Sequence, residues 1–154
     1  MPDNSLRERD IALGLLSDYI RRNSMRATSE RNLIFSTMFD MPQFFDVQTL
    51  HSAVVERLNV SLATIYSTLE LFQECGIIIR HNFSSKMIRY ERANFSQEGA
   101  YYKICIGCHK IKKFKDSKLS KSIMIRNSES FSSIRHTLYM YGYCRKCQTK
   151  RIAK

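Results

Sequence analysis

Two pairs of cysteines constrain this fold more than any other feature of the sequence. Cys105 and Cys108 form the first pair, and Cys144 and Cys147 form the second. Two residues between paired cysteines let both thiolates turn back onto one ion, and two such pairs complete a tetrahedron suited to structural zinc. A strand, a helix and a returning strand would fill residues 109–143 between the pairs. We therefore predict a structural Zn²⁺ site formed by these four cysteines.

A pair of redox-active dithiols is the alternative interpretation of the same spacing. It is less favoured because neither pair begins a helix in a βαβ context. A closed site of four cysteines has no open coordination position, so zinc there would contribute folding energy and not hydrolytic chemistry. The chain also has no phosphate-binding glycine loop and no Ser/His/Asp constellation. The sequence therefore predicts that the protein is not an enzyme.

The cellular compartment follows from hydropathy. The longest apolar runs, such as Ile77 to Ile79, are too short to span a bilayer, and the polar N-terminus lacks a signal-peptide core. We expect a cytoplasmic protein with no membrane partner, in which the cysteines stay reduced.

The net charge of +11 is unevenly distributed. Residues 1–94 hold 11 basic and 11 acidic residues, whereas residues 95–154 hold 14 basic and 3 acidic ones. Four thiolates on one zinc would add a local charge of about −2 to the basic half. Net charge alone therefore does not identify a DNA-binding face.

Helical spacing of apolar residues organises the first half of the chain. The predicted helices run from Leu6 to about Arg22, from Thr28 to near Pro42, from Asp46 to about Leu58, and from Ser61 to Gly76. A strand from Gly76 to Phe83, a turn at Ser84 to Lys86 and a strand from Met87 to Glu91 follow. Helices followed by such a hairpin indicate a winged helix.

The fourth predicted helix has two distinct faces. Its apolar stripe contains Leu62, Ile65, Leu69 and Phe72. At about 100° per residue, the opposite face presents Ala63, Tyr66, Ser67 and Glu70. This helix can therefore offer an aromatic hydroxyl and small polar groups to a groove.

The second half of the chain has strand character. Strands are predicted at Tyr101 to Cys105, His109 to Phe114 and Thr137 to Tyr143, with a helix from Leu119 to about Ser133. The predicted fold class is α+β, with an N-terminal winged helix followed by a small α/β zinc-containing dimerisation domain. We predict a winged-helix DNA-binding domain at 1–92, a polar hinge at 93–99 and a zinc-stapled dimerisation domain at 100–154.

Several short motifs, taken in order, strongly resemble the ferric uptake regulator family. They are Arg26-x-Thr28-x-x-Arg31, Ala63-Thr64-Ile65-Tyr66-Ser67-Thr68-Leu69, Gly76-Ile77, Arg89-Tyr90-Glu91, the four cysteines, and the segment from Leu138 to Cys144. No single motif is specific, but their joint order from about Arg21 to Cys147 is. The resemblance implies a dimeric winged-helix repressor that binds palindromic operators, often under control of a divalent metal.

The resemblance also implies DNA contacts. It places Tyr66 against bases in the major groove, Thr64 on a phosphate and Arg26 at the flanking minor groove. Tyr66 could touch a thymine methyl group, or it could be an ordinary half-buried aromatic. Arg26 and Arg31 could instead be solvated charges at a helix end. The family usually has arginine where this chain has Ser67, so we expect altered or weaker operator recognition.

The chain departs from the family at the regulatory metal site. By position, the family's metal-binding histidines fall on Phe44, Ala100 and Tyr102. Only Glu91 and His136 match possible residual regulatory-site residues, and two ligands do not make a tight transition-metal site. Glu91 could equally be a salt-bridged carboxylate, and His136 a satisfied structural histidine.

The effector therefore stays open between several candidates. Iron or haem could act on this protein, with Tyr101, Tyr102, Cys75 or the free histidines as axial haem ligands. Cys75 has a simpler interpretation as a small buried residue. Two alternatives lack operator binding altogether: a zinc-stapled protein-interaction module, and a thiol redox switch.

Overall fold

The computed structural model describes residues 4–95, 99–133 and 135–152. The chain divides into two compact units between Phe95 and Ser96. This division falls inside the predicted hinge at 93–99, of which residues 96–98 lie outside the described part. The assignment of DNA binding to the first unit and dimerisation to the second stays a prediction.

The first unit has the winged-helix fold that the sequence predicts. Its elements are α1 (Asn4–Arg22), α2 (Ser29–Asp40), β1 (Phe44–Phe45), α3 (Val47–Val55), α4 (Leu62–Glu74), β2 (Ile78–Ser84) and β3 (Met87–Arg92). The strands form an antiparallel sheet in the order β1-β3-β2. Sequence analysis missed β1, because two residues are too few to show an alternating pattern.

Side-chain caps set the starts of α2, α3 and α4. Thr28, Asp46 and Ser61 each accept a hydrogen bond from the backbone N–H three residues later, at 3.2, 2.8 and 3.1 Å. These bonds satisfy N–H groups that have no partner within the helix. Gly76 ends α4 with a left-handed φ of 76°, and the Ile77 N–H then donates to the Phe72 carbonyl.

The core of the first unit fixes the orientation of α4. Ile65, Leu69 and Phe72 are fully buried, as the predicted stripe requires. Phe72 meets Phe35 of α2 edge to face, with ring centroids 6.0 Å apart. Leu16 of α1 belongs to the same cluster. Because the buried stripe is anchored on several helices, the opposite face of α4 is held outward.

The second unit is a three-stranded sheet with two helices. Its elements are β4 (Ala100–Cys105), β5 (Ile111–Phe114), α5 (Ser117–Met124), β6 (Thr137–Gly142) and α6 (Arg145–Ile152). The strand order is β5-β4-β6, with β4 antiparallel to β5 and parallel to β6. In the described part of the chain, no helix is long and apolar enough to cross a membrane.

Two details of the second unit differ from the sequence predictions. The helix predicted to reach Ser133 ends at Met124, and the carboxamide oxygen of Asn127 accepts hydrogen bonds from the N–H and hydroxyl of Ser133. Local side-chain bonds of this kind compete with helical hydrogen bonds. Helix α6 was not predicted, because it has almost no apolar periodicity and begins inside a cysteine pair.

Replacing Ser61, the N-cap of α4, tests how much this cap contributes to the free energy of unfolding. We expect Ser61→Ala to lower the free energy of unfolding by about 0.5–2 kcal/mol, because the Thr64 N–H loses its acceptor. Ser67→Ala, on the exposed face of the same helix, is the matched control and should change it by less than about 0.5 kcal/mol. Urea unfolding measures both values, and equal stabilities for the two variants would contradict the capping role.

Candidate metal centre and nucleic-acid interface

The sheet of the second unit brings the two cysteine pairs together. Cys105 is the last residue of β4 and lies opposite Gly142, the last residue of β6. Because these strands are parallel, both chain segments leave the sheet at the same edge. Cys108 follows in the turn after β4, while Cys144 and Cys147 flank the start of α6.

The four sulfur atoms have the geometry of a tetrahedral metal site. Their Sγ atoms all lie within 4.8 Å of one another, and those of Cys108 and Cys144 are 3.7 Å apart. Four thiolates bound at about 2.3 Å to a tetrahedral ion would have sulfur separations of about 3.8 Å. None of the four is in a disulfide. The cluster is therefore compact enough to hold a single tetrahedral ion such as Zn²⁺.

Backbone donors prepare this cluster for a cation. The Cys144 N–H donates to Cys105 Sγ at 3.2 Å, and this bond lowers the pKa of Cys105 to about 6. The N–H of Cys147 similarly lowers the pKa of Cys144. The hydrogen bond of Cys147 to Cys144 instead raises the Cys147 pKa to about 12. Four crowded thiols cannot all ionise unaided, so a bound dication would replace the remaining protons.

The turn that carries Cys108 is tightly packed. A Cβ atom at Gly107 would lie 3.0 Å from Cys147 Sγ, so a side chain there would crowd the cluster. His109 adopts a left-handed φ of 59° and donates its backbone N–H to the Cys105 carbonyl at 2.8 Å. Its ring is exposed. His109 thus shapes the turn through its backbone.

In the first unit, α4 presents the predicted outward face. Ala63, Tyr66, Ser67 and Glu70 are all exposed, and 45% of the Tyr66 surface is accessible. The Ser67 hydroxyl donates to the Thr64 carbonyl at 3.1 Å, within the helix. Tyr66 is therefore available to a partner.

Helix α4 carries negative and no positive side-chain charge. It contains no lysine or arginine, and it carries Glu70 and Glu74. Arg26 lies outside the helices, exposed in the segment before α2. Arg31 was weighed as a solvated charge, but it is half-buried and its guanidinium donates to the Arg26 carbonyl at 2.6 Å. Arg31 therefore braces the backbone that presents Arg26.

The two residual regulatory-site residues belong to different units. His136 lies in the second unit, where its Nε2 is 2.8 Å from the Tyr101 hydroxyl, which also bonds to Ser120. A side chain at Gly99 would collide with the His136 ring. His136 thus has the contacts of a structural histidine.

Glu91 is held within the first unit by two side chains. Its Oε1 accepts from Gln43 Nε2 at 2.9 Å, and its Oε2 lies 2.8 Å from His81 Nε2. Both Glu91 and His81 are fully buried. Sequence analysis gave His81 no role beyond that of a possible haem ligand. The available signal was its position in the alternating strand β2, where it shares a sheet face with Phe83.

The candidate haem ligands are divided between the two units. Cys75 belongs to the first unit, and Tyr101 and Tyr102 belong to the second. Both tyrosines are fully buried, and burial raises the pKa of Cys75 to about 11. Cys75 therefore has the character of a packed thiol and not of a reactive thiolate.

Comparisons with known proteins converge on one family. The model of the ferric uptake regulator family matches residues 22–141. The ferric uptake regulation protein of Campylobacter jejuni subsp. jejuni serotype O:2 is 25% identical over 148 residues, which cover 94% of this chain and 93% of that protein. The peroxide-responsive repressor PerR of Staphylococcus saprophyticus is 27% identical over 133 residues, covering 85% and 88%.

A solved structure supports the fold independently. The ferric uptake regulator from Pseudomonas aeruginosa, determined with manganese, superposes with a TM-score of 0.69 at 22% identity. The match covers 84% of this chain and 97% of that one. At this identity the likeness establishes the architecture and not the ligands.

The cysteine cluster makes a direct prediction about metal content. We expect the purified protein to carry about one Zn²⁺ per chain, and Cys144→Ser to lose it together with the folded second unit. Cys75→Ser is the control, because Cys75 lies outside the cluster and should leave the zinc content unchanged. Elemental analysis and limited proteolysis provide the measurements. Retention of one zinc by Cys144→Ser would contradict the assignment.

Proposed function

Because the family model matches most of its length, this chain belongs to the ferric uptake regulator family, and we propose that it is a dimeric, sequence-specific repressor. Membership makes it a DNA-binding transcriptional regulator of the metal-responsive kind and not an enzyme. The observation that carries the finer proposal is the outward face of α4, presented by a capped helix on a buried stripe. We place its action in the cytoplasm.

Recognition of DNA would centre on α4 in the major groove. Tyr66, exposed on the outward face, would contact a thymine methyl group. Thr64, next to the Ser61 cap, would contact a phosphate near the positive end of the helix dipole. Arg26, braced by Arg31, would enter the flanking minor groove.

Ser67 and the lack of basic residues on α4 weaken the electrostatic part of this interface. Ser67 cannot supply the cation that the family usually has at this position, and its hydroxyl is already bonded within the helix. Phosphate contacts supply most of the sequence-independent affinity for DNA. We therefore propose that recognition depends more on Tyr66 and Arg26 than on non-specific attraction.

Dimerisation is supported by apolar surface on the second unit. Ile125 and Phe131 are 80% and 67% exposed, and Met140 and Tyr141 on β6 are also exposed. Strand β6 lies at the edge of its sheet, so one side of its backbone is open to pairing. A second copy paired along β6 would contact Met140 and Tyr141 on opposite faces of the strand, and a symmetric dimer would match a palindromic operator.

Zinc and the effector have separate roles in this proposal. Structural Zn²⁺ on Cys105, Cys108, Cys144 and Cys147 would hold the ends of β4 and β6 together. The effector response would be linked to iron homeostasis, with iron or haem as candidate signals.

A protein-interaction module is the second candidate function. The acidic residues of α4 and the absence of a cation on it favour a partner other than DNA. A thiol redox switch is the third candidate, in which oxidation of the cysteine cluster would eject zinc. Cys75 is unsuited to that role, because burial raises its pKa to about 11. Selection of bound genomic fragments separates the candidates, since only the repressor should enrich a palindrome.

Tyr66 provides the sharpest test of operator recognition. We expect Tyr66→Ala to weaken specific binding by about 1–3 kcal/mol, because the thymine contact is lost. Tyr66→Phe is the matched control and should retain most of that contact, since the ring edge remains. Fluorescence anisotropy at fixed salt on the selected operator gives both affinities. Unchanged specific binding by Tyr66→Ala would exclude the proposed contact between Tyr66 and thymine.

Charge placed on the apolar surface tests the dimer. Phe131→Asp should shift the protein from dimer to monomer, because a carboxylate would be buried against the partner copy. Leu13→Asp, at an exposed leucine of α1 in the first unit, is the control and should stay dimeric. Sedimentation velocity distinguishes the two states. A wild-type protein that is monomeric at micromolar concentration would refute the proposal.

A further inference from the structure

The end of β3 places two consecutive residues on opposite faces of the wing sheet. Tyr90 belongs to the core cluster and stacks with Phe45 at 5.9 Å. Because side chains alternate along a strand, Glu91 and its register partner Phe44 lie on the other face. A fully buried carboxylate at this position requires partners that compensate its lost hydration.

Glu91 obtains such partners from two other elements of the first unit. Gln43 in the α2–β1 connection donates to one oxygen at 2.9 Å, and His81 on β2 contacts the other at 2.8 Å. When Glu91 is ionised, its carboxylate only accepts hydrogen bonds, and His81 Nε2 is then the donor. The rings of Phe44 and Phe83 lie 5.9 and 5.0 Å from the His81 ring. The imidazole is thus oriented by packing as well as by its hydrogen bond.

Arg92, the residue after Glu91, also binds the α2–β1 connection. The Arg92 guanidinium donates to the carbonyls of Met38 and Met41 at 2.9 and 2.6 Å. The Arg92 N–H also donates to the Gln43 carbonyl at 3.2 Å. Burial lowers the pKa of Arg92, as expected for a guanidinium held against protein groups. The end of β3 therefore holds residues 38–43 through the side chains of Glu91 and Arg92. This segment precedes α3 and α4 in the chain.

We infer that Gln43, His81 and Glu91 form a metal-independent polar clamp between the wing and the α2–β1 connection, with Glu91 as a structural acceptor and not a regulatory metal ligand. The clamp would keep α3 and α4 in place against the wing without a second metal. Any metal response would then act through other residues. This inference rests on the proposed function, since it concerns how the DNA-binding unit is controlled.

Among the described residues, the metal-binding donors around Glu91 are too few for a tight transition-metal site. Phe44, at the position of one expected ligand, is an aromatic ring in contact with His81. A metal at Glu91 would have to displace Gln43 or His81 from the carboxylate. Within the described residues, the four cysteines are the sole group of three or more potential ligands within reach of one ion.

The deciding comparison is Mn²⁺ binding by the zinc-loaded full-length protein and by its Glu91→Gln variant. We expect either no second ion in both proteins or equal affinities in both. A tenfold or greater loss of Mn²⁺ affinity in Glu91→Gln would overturn the clamp. Operator selection is run separately, so a failure to enrich any palindrome counts against the proposed function and leaves this comparison intact.

Histidine NMR resonances test the clamp in the wild-type protein. This measurement does not depend on the stability of Glu91→Gln. In ¹⁵N-histidine-labelled protein, the His81 Nε2–H proton should be protected from exchange with solvent. Its resonance should remain visible after one equivalent of paramagnetic Mn²⁺ is added. His51, whose Nε2 bonds to the Val60 carbonyl at 2.9 Å, is the control in the same unit. Selective broadening of His81 by Mn²⁺ would overturn the inference.

Gln43 gives a milder variant for the structural role. Gln43→Ala removes one donor from the buried carboxylate and should lower the thermal unfolding midpoint by about 4 °C or more. Gln48→Ala, an exposed glutamine in α3, should shift it by less than about 2 °C. Equal midpoints for the two variants would show that the Gln43 bond does not stabilise the unit.

Discussion

The parallel pairing of β4 with β6 is the constraint on which the second unit depends. Cys105 and Gly142 end their strands side by side, so two cysteine pairs far apart in the chain reach the same edge of the sheet. The sulfur atoms then lie close together, and four crowded thiols cannot all ionise unaided. The Cys144 N–H lowers the pKa of Cys105, whereas the hydrogen bond to Cys144 raises the pKa of Cys147. A dication would resolve this conflict and fix the register of the sheet.

The first unit separates stability from recognition on a single helix. Ile65, Leu69 and Phe72 bind α4 to the core, while Tyr66 remains exposed on the other side. Affinity for DNA usually has a large cationic component, and α4 supplies none. In the proposed DNA contact, Tyr66 and side chains outside the helix, such as Arg26, would therefore carry more of the interaction than charge on α4 does.

The buried carboxylate of Glu91 is compensated by hydrogen bonds from its own unit. The resemblance predicts a residual metal ligand there, whereas Gln43 and His81 occupy both oxygens. A carboxylate held in this way satisfies the same need for compensation that a cation would meet. In the described structure, hydrogen bonds within the first unit therefore compensate the buried Glu91 carboxylate.

Periodicity and spacing determined the winged helix, the caps at Thr28, Asp46 and Ser61, and the pairing of the cysteines into one candidate site, because these depend on local patterns. Short β1, the early end of α5 at Met124 and the apolar-poor helix α6 left no such pattern. Only the tertiary structure brought His81 to Glu91 and Arg31 to the Arg26 carbonyl. The partners in those contacts are set by the register of the sheet and the path of the loops. Local sequence patterns do not reveal either of these.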